Sequence, residues 1–316
     1  MLKLFEPRID ILMATFNGEH YVGEQIESIQ RQGYRNWRLL VSDDCSTDGT
    51  VDVVRRYART DSRIYIVSDG LKHGGAKQNF FSLLGRCDAP YCMFCDQDDV
   101  WLPFKVEITL KAMRRIEEEL ATELPCVIFT DMKVVDGNLN VVDDSFEHYS
   151  SIDPARTKFS QVIAQSLGAG CTMMINEASR DAALRLETLD GVVMHDWWLT
   201  LIAAAFGRIG HIDEPTLLYR QHGSNEVGAL EYSPVKRVGH FDLMKKSVSA
   251  TVLQAHAFLD CYSDLLGSDM TKVIREYVAM GHSTGFTSIW HLVRSGCWKK
   301  GLRKFGQLAV SLRGAN

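Results

Sequence analysis

The first 120 residues alternate short apolar runs with segments of helical periodicity, and this alternation constrains the fold more than any other feature. The apolar runs cover residues 9–14, 38–42, 64–67 and 91–95. A pattern of apolar residues at helical spacing follows each run, and these patterns end near residues 29, 59, 86 and 120. Repeated strand and helix units predict a mostly parallel sheet with helices on both faces. Such sheets bind ligands in a crevice at the carboxyl ends of their strands.

The pattern changes after residue 120. Two apolar runs flank Asp136-Gly137, which is a strong signal for a hairpin turn, and the predicted strands here cover residues 126–135, 140–142, 169–175, 208–212 and 216–220. The sheet should therefore gain antiparallel strands. From about residue 227 the pattern is helical, and no low-complexity linker separates the two parts. We predict a first domain of residues 1–228 and a helical C-terminal region of residues 229–316.

The composition indicates a globular protein and gives no sign of nucleic-acid binding. The formal net charge is only −5, which is too mild to suggest a partner of strong opposite charge. No apolar run approaches the length that spans a bilayer, so we expect a cytoplasmic protein. Most of the eight cysteines lie in apolar stretches, which favours reduced thiols over disulfides.

Acidic residues follow two of the predicted strands directly. Asp96-Gln97-Asp98-Asp99 comes after the run at residues 91–95, and Asp43-Asp44 comes after the run at residues 38–42. Carboxylates crowded in this way repel one another, and a hard divalent cation such as Mg²⁺ or Mn²⁺ relieves the repulsion. The alternative is an acidic turn that leads into the helix beginning near Lys105. Thr15-Phe16-Asn17-Gly18 follows the first strand, so all three segments should lie at one edge of the sheet.

Two common phosphate-binding motifs are absent from the strand ends. No Gly-x-Gly-x-x-Gly follows the first strand, which counts against a dinucleotide-binding enzyme, and no Gly-x-x-x-x-Gly-Lys is present, which counts against a P-loop NTPase. The sheet offers carboxylates in place of a glycine cradle. We therefore expect side chains to hold a nucleobase and a metal to hold a diphosphate.

Five ordered segments resemble the family 2 glycosyltransferases, and most closely the rhamnosyltransferase-like enzymes of bacterial surface-polysaccharide assembly. The resemblance covers about residues 8–228 and depends on residues 11–18, 41–50, 94–101, 195–198 and 219–225. It implies a nucleotide-diphospho-sugar transferase (GT-A) fold, which is an α/β fold with a Rossmann-like mixed sheet flanked by helices and, here, a helical C-terminal extension. It also implies transfer with inversion from a nucleotide-diphospho-sugar to a saccharide or lipid-linked saccharide, as in O-antigen synthesis. The first donor to test would be dTDP-rhamnose.

The resemblance also assigns roles to the residues that would bind the donor. The nucleotide pocket would be lined by Thr15, Phe16 and Asn17, and the base imide would donate to Asp44 with Asp43 beside it. Gln97, which we group with the donor-binding residues, departs from the commonest family pattern, where small residues are frequent. Asp96 and Asp98 would bind the metal and the ribose or diphosphate of the donor, and His222 would be a further metal ligand, while Asp99 orients these ligands. For His222 alone, the alternative is a surface residue in a polar loop. Lys77 or Arg220 would help to stabilise the leaving diphosphate, and an exposed first-turn lysine is the alternative for Lys77.

Inverting transfer requires a base, because an acceptor hydroxyl is a poor nucleophile at neutral pH. The resemblance points to Asp196, in the segment His195-Asp196-Trp197-Trp198, and the alternative is an aspartate that only caps a helix. The tryptophans would exclude water and stack on a sugar ring. The donor sugar and the acceptor would sit against a wall formed by Gly168, Gly170 and Cys171, with His195, Trp197 and Trp198 nearby.

The last part of the chain combines basic and aromatic residues. Between residue 284 and the end there are six Lys or Arg residues and no Asp or Glu, interleaved with Trp290, Trp298 and Phe305. This composition suits a helix that lies on an anionic membrane, here the inner face of the cell membrane. The alternative is a helix packed on its own first domain with a solvated basic face.

Two other classes compete with a glycosyltransferase. A nucleotidyltransferase shares the sheet and the metal, but it normally carries a glycine- and basic-rich loop after the first strand, where this chain has Thr15-Phe16-Asn17-Gly18-Glu19. A non-catalytic sugar-nucleotide-binding protein would be expected to lack the base or a metal ligand, and this chain retains Asp96, Asp98, Asp196 and His222.

Overall fold

A computed structural model describes residues 6–67, 72–120, 123–223 and 241–314 of the chain. The first four strand and helix units follow the sequence pattern closely. They consist of β1 (Ile9–Thr15), α1 (Val22–Gln30), β2 (Trp37–Asp43), α2 (Thr50–Thr60), β3 (Ile64–Ile66), α3 (Ala76–Leu84), β4 (Tyr91–Cys95), a two-residue β5 (Val100–Trp101) and α4 (Lys105–Leu120).

The rest of the chain completes the sheet and then becomes helical. The remaining elements are β6 (Cys126–Val135), β7 (Val141–Asp143), α5 (Phe146–Tyr149), α6 (Phe159–Ala164), β8 (Met173–Asn176), α7 (Glu177–Ala183), α8 (His195–Phe206), β9 (Arg208–Arg220), α9 (Phe241–Tyr262), α10 (Ser268–Gly281), α11 (Gly285–Ser295) and α12 (Arg303–Arg313). The predicted helical region begins within residues 224–240, which lie outside the described part of the chain.

The strands form one mixed sheet in the order β3-β2-β1-β4-β8-β6-β9-β5, with β7 paired to β6. Strands β1 to β4 pair in parallel, whereas β8 runs antiparallel to both β4 and β6. Because β6 and β9 are parallel to each other, β4, β6 and β9 all run in the same direction. The predicted mixed α/β sheet is confirmed, and the carboxyl ends of β1, β2, β4 and β9 lie at one edge.

Three details differ from the sequence prediction. The segment predicted as a strand at residues 169–175 begins with a 3₁₀ turn at Gly170–Thr172, so the strand starts only at Met173. The two strands predicted between residues 208 and 220 are one strand, β9, because shifts in its pairing with β6 accommodate Pro215. Strand β5 was not predicted, since two residues are too few to show a period.

The sheet separates two hydrophobic clusters, as expected from alternating side chains on each strand. Ile11 and Met13 of β1 face a cluster with α1 and α4, whereas Leu12 faces a second cluster that contains Phe94 and Trp198. The second cluster also contains buried residues of each described C-terminal helix, α9 to α12, including Phe258, Tyr262, Tyr277, Leu292 and Val310. The C-terminal helices therefore pack on one face of the sheet. The proposed division at residue 228 stays a prediction.

Cys87 and Cys92 form a disulfide, so the expectation of reduced thiols is wrong for this pair. The bends at residues 89 and 90 lead into β4 and bring the two sulfurs together. The other described cysteines are free, and most of them are buried. Among the described helices, none combines the length and the apolarity needed to cross a bilayer.

Candidate active site

The structure brings the predicted site residues to one edge of the sheet. Thr15 ends β1, Asp43 ends β2, Asp96 follows β4, and His222 follows β9. Strand β8 runs the other way, so the turn at residues 170–172, which precedes it, lies at the same edge. This edge is the place where open α/β sheets bind their ligands.

Asp43 organises the loops after β1 and β2. Its carboxylate accepts hydrogen bonds from Thr15 Oγ1 at 2.9 Å and from Ser46 Oγ at 2.6 Å. Asn17 joins the same loops, because its backbone N–H donates to Ser46 Oγ and its side-chain oxygen accepts from Thr47 N–H, both at 2.8 Å. Asn17 has a φ of 47°, a conformation that asparagine tolerates better than most residues. These contacts fix the floor of the predicted nucleotide pocket.

Asp44 ties the end of β2 to the segment before α3. Its buried carboxylate accepts backbone N–H groups of His73, Gly74 and Gly75, with the Gly75 contact at 2.8 Å. Gly74 and Gly75 have φ values of 87° and 133°, which only glycine adopts without strain. Asp44 thus holds this segment in place. Its predicted contact with a base imide stays a prediction.

Gln97 connects the loop after β1 to the acidic segment at residues 96–99. Its Oε1 accepts the backbone N–H of Phe16 at 3.0 Å, and its Nε2 donates to the backbone carbonyl of Phe16 at 2.9 Å. A Cβ atom at Gly18 would lie 2.2 Å from Gln97 Oε1, so the first loop and the Gln97 amide fit closely. The Phe16 ring is half-exposed and is therefore available to a base.

Gln97→Ala should raise the KM for the donor several-fold and leave kcat nearly unchanged. The substitution removes two hydrogen bonds, each with a net stabilisation of about 1 kcal/mol, and so loosens the loop that carries Phe16. Gln30→Ala is the matched control, because Gln30 bonds to Asp61 away from this edge. Donor titrations of both variants would check the prediction, and an unchanged KM in Gln97→Ala would contradict it.

Asp98 and His222, two of the predicted metal ligands, are in direct contact. Asp98 Oδ2 and His222 Nε2 are 2.7 Å apart, and the imidazole stacks on the Tyr21 ring with a centroid distance of 4.6 Å. Asp99 is fully buried, and its pKa is raised well above the ordinary value, chiefly by burial and then by the charges of Asp98 and Asp96. Ligand atoms of Asp96, Asp99 and Cys171 also lie within 4.8 Å of one another. Carboxylates thus crowd this end of β4, as the sequence suggested.

Arg220 holds the acidic segment in place through its backbone. It is buried, and its guanidinium donates to the carbonyls of Asp98 at 2.9 Å and Gly137 at 2.7 Å and to Glu24 Oε2 at 2.5 Å. Three of the five guanidinium N–H groups thus donate to protein oxygens, so Arg220 ties α1 and the acidic segment together. A direct contact with a diphosphate stays a prediction.

Lys77 likewise makes contacts within the protein. It lies in the first turn of α3, and its ammonium donates to the carbonyls of Val192 at 2.8 Å and Leu189 at 3.3 Å. These bonds hold the loop that precedes α8. Lys77 is therefore not the exposed first-turn lysine of the alternative interpretation. Its predicted contact with a diphosphate stays a prediction.

Asp196 lies in the first turn of α8, with Met194 at the N-cap position, so the interpretation of Asp196 as the helix cap does not apply. Its carboxylate accepts the backbone N–H of Gly170 at 3.0 Å and of Trp197 at 2.6 Å. Burial raises its pKa to about 6, although these two hydrogen bonds act in the opposite direction. A carboxylate of this basicity suits proton abstraction near neutral pH. Through Gly170 and the adjacent Cys171, Asp196 is connected to the acidic segment.

His195 supports the turn that Asp196 contacts. Its ring lies between Phe80 and Phe94, with centroid distances of 4.2 and 4.7 Å, and burial lowers its pKa to about 3. The imidazole is therefore neutral. A Cβ atom at Gly170 would lie 2.6 Å from His195 Nε2, so only glycine fits at this position. His195 and Gly170 thus determine the position of the backbone N–H that Asp196 accepts.

The two tryptophans of α8 occupy different environments, because adjacent residues on a helix face different directions. Trp197 is partly buried, and its indole N–H donates to the Val162 carbonyl at 2.7 Å. Trp198 is fully buried in the core, where its ring contacts that of Phe258 at a centroid distance of 5.3 Å. The prediction that Trp198 lines the sugar pocket is therefore wrong.

The wall formed by Gly168, Gly170 and Cys171 is closely packed. A Cβ atom at Gly168 would lie 2.6 Å from the Phe129 ring, and Cys171 is buried beside Asp99. Sequence analysis missed Tyr21 and Glu24, which contact His222 and Arg220. Their three-residue spacing before and within α1 places them on one helical face, but the sequence carries no signal that this face contacts His222 and Arg220.

Comparison with known proteins identifies the family of the chain. Residues 10–134 match the family described as Glycosyl transferase family 2. A protein of Shigella flexneri named dTDP-rhamnosyl transferase RfbG is 30% identical over 229 residues, which cover 69% of this chain and 74% of that protein. The chain therefore belongs to glycosyl transferase family 2.

A second relative and a solved structure extend the comparison. The Escherichia coli protein named UDP-Glc:alpha-D-GlcNAc-diphosphoundecaprenol beta-1,3-glucosyltransferase WfgD is 25% identical over 167 residues, which cover 53% of this chain and 59% of that protein. The crystal structure of S. aureus TarS 1-349 in complex with UDP-GlcNAc superimposes with a TM-score of 0.52 at 15% identity and covers 93% of each chain. That likeness supports the GT-A type of fold.

Proposed function

We propose that this protein is a metal-dependent, inverting glycosyltransferase that moves a sugar from a nucleotide-diphospho-sugar to a saccharide acceptor. The observation that carries the proposal is the position of Asp196. The Asp196 carboxylate, with a pKa of about 6, accepts the backbone N–H of Gly170. The next residue along the chain, Cys171, lies beside Asp96 and Asp99. The candidate base and the acidic cluster therefore lie at the same edge of the sheet, where a bound donor and its acceptor would contact both.

The predicted metal ligands fit a divalent cation. Adjacent ligands of an octahedral Mg²⁺ at about 2.1 Å lie about 3 Å apart, and Asp98 Oδ2 and His222 Nε2 are 2.7 Å apart. Asp96, Asp98 and His222 would hold Mg²⁺ or Mn²⁺, and Asp99 beneath them would orient the ligands. When bound, the cation would offset the charge that develops on the departing nucleoside diphosphate.

The protein's own residues would supply the remaining chemistry. Asp196 would accept the proton of the acceptor hydroxyl as that oxygen bonds to the anomeric carbon and the diphosphate leaves from the opposite face. Phe16 would stack on the base, and the loops that Asp43 and Asp44 order would shape its pocket. Neutral His195 would hold the Gly170 turn and would not compete for the proton.

The choice of donor and acceptor depends on the named relatives. RfbG is named a dTDP-rhamnosyl transferase and WfgD a transferase acting on a diphosphoundecaprenol-linked sugar. We therefore propose dTDP-rhamnose as the donor and a lipid-linked saccharide as the acceptor, within the synthesis of a cell-surface polysaccharide such as O-antigen, at the inner face of the membrane. Family membership favours sugar transfer over the nucleotidyltransferase alternative, and turnover would exclude a non-catalytic binding protein.

A thermal-shift screen of nucleotide sugars tests this proposal. With Mn²⁺ present, dTDP-rhamnose should raise the melting temperature more than UDP-glucose or GDP-mannose at the same concentration, because the tighter ligand stabilises the folded protein more. A ligand at 100 times its Kd adds about 2.7 kcal/mol to the free energy of unfolding. Release of dTDP in the presence of an acceptor would then establish transfer. A screen in which no nucleotide sugar raises the melting temperature would contradict the proposal.

A further inference from the structure

Helix α11 presents an apolar face that no described part of the chain covers. The exposed fractions of Phe286, Trp290 and Val293 are 88%, 52% and 59%. These residues are spaced by four and three positions, so they form one stripe along the helix. The opposite face, with Ser288, Leu292 and Ser295, is buried. The helix is therefore anchored to the protein on one side and apolar on its solvent side.

Helix α12 repeats this arrangement. Phe305 is 66% exposed, and Leu302 and Leu312 are also exposed large apolar residues. Their spacing again gives one stripe, while Gly306 and Val310 face the protein. A Cβ atom at Gly306 would lie 2.5 Å from Met244 Sδ, so α12 packs closely on α9. The six exposed apolar residues of α11 and α12 are called here the α11–α12 surface.

The segment of chain that carries this surface has charged residues of one sign only. After Glu276 the sequence contains six Lys or Arg residues and no Asp or Glu. Lys304 and Arg313 are exposed on α12 and lie over the rings of Trp298 and Phe241, at 4.4 and 4.8 Å. Arg294 lies over Trp290 but also pairs with Glu276 at 2.7 Å, so its charge is partly compensated.

Part of the basic cluster has a different role. Lys299 donates to Ser247 Oγ, Lys300 to the Ile152 carbonyl, and Arg303 to the Ser150 carbonyl. These three residues therefore contact the protein itself, as in the alternative to membrane binding that the sequence left open. Besides Arg294, which Glu276 partly compensates, the exposed basic groups beside the stripes are Lys304 and Arg313.

We propose that the α11–α12 surface docks on an anionic lipid bilayer. Soluble monomers rarely expose grouped large apolar side chains without a partner, and aromatic residues flanked by basic ones favour the interface of an anionic membrane. The aromatic and aliphatic side chains would enter the headgroup region, while Lys304 and Arg313 contact lipid phosphates. The purpose of this docking rests on the proposed function, since a lipid-linked acceptor would present its sugar there.

Vesicle sedimentation tests the proposal directly. Phosphatidylcholine vesicles that contain phosphatidylglycerol should bind the protein, and added salt or phosphatidylcholine alone should weaken binding. The triple variant Phe286→Ser, Trp290→Ser, Val293→Ser should lower the partition at least about a hundredfold, because it removes three large apolar side chains from the headgroup region. Leu253→Ser, an equally exposed apolar residue on α9, is the matched control.

Charge variants test the contribution of the exposed basic residues. Lys304→Gln with Arg313→Gln should lower binding roughly fivefold per charge lost, and Lys111→Gln, an exposed lysine on α4, should not change it. Equal sedimentation of the wild type and the triple variant would overturn the proposal. Self-association of the wild type without vesicle binding would also overturn it and would identify a protein contact surface. The nucleotide thermal shift, measured on the same samples, reports separately on the proposed function.

Discussion

Asp196→Asn should lower kcat by about 10²- to 10⁴-fold, which is the usual cost of losing a general base. The acceptor hydroxyl would have to attack while still protonated. Nucleotide affinity should stay unchanged, because no donor contact is assigned to Asp196. Steady-state kinetics and nucleotide titration of one preparation would check both statements.

The stability of Asp196→Asn should change by at most about 1 kcal/mol. Asparagine retains one of the two accepted hydrogen bonds, from Gly170 or Trp197. Burial raises the pKa of Asp196, which means that the folded protein disfavours the charged form, and a neutral side chain removes that cost. Asp190→Asn makes the same chemical change on an exposed loop and should leave kcat unaltered. Near-normal kcat in Asp196→Asn would exclude it as the base.

The pH dependence of the wild type should identify the same group. Because the pKa of Asp196 is raised to about 6, the carboxylate is present above that pH and is lost as the pH falls through it. We expect kcat/KM to fall about tenfold per pH unit below pH 6. His195 cannot produce this limb, since its pKa is lowered to about 3. The limb should be absent in Asp196→Asn, and its persistence there would assign it to another group.

The sequence predicted the parts of the site that depend on local patterns. The apolar runs of β1, β2 and β4 have the expected bounds within one or two residues, and the polar residues that follow them lie at one edge. This prediction works because a buried strand and the turn after it are encoded within a few consecutive residues. The polar residues after β1, β2 and β4 then lie close together because these strands pair in parallel.

The partners of individual side chains could not be predicted in this way. Arg220 pairs with Glu24, which lies 196 positions earlier, and Asp44 binds backbone groups about 30 positions later. Such pairs depend on how the elements pack in three dimensions, and one sequence carries no signal of that pairing. Trp198 illustrates the same limit, because its apolar character fits a sugar pocket and a core equally well.

Asp98→Asn should abolish most turnover and also remove the effect of Mn²⁺ on the thermal stability of the nucleotide complex. Asp98 Oδ2 lies 2.7 Å from His222 Nε2, so the carboxylate and the imidazole are placed to share one cation. The amide lacks the negative charge that a hard cation requires, and the charge on the leaving diphosphate would remain uncompensated. The wild type should show a larger melting-temperature increase from dTDP with Mn²⁺ than from dTDP alone.

The controls separate loss of the cation from loss of the fold. Asp213→Asn changes an exposed carboxylate on β9 and should keep both turnover and the Mn²⁺-dependent shift. Asp98→Asn itself should keep a melting temperature near that of the metal-free wild type, since asparagine can still accept a hydrogen bond from His222. Full transfer activity in chelator-treated wild type would show that the reaction needs no cation, and the cluster at Asp96, Asp98 and His222 would then be only an acidic turn. If the chelated enzyme is inactive but Asp98→Asn still responds to Mn²⁺, the cation is held elsewhere, and Asp96, Asp99 and Cys171 form the next candidate set.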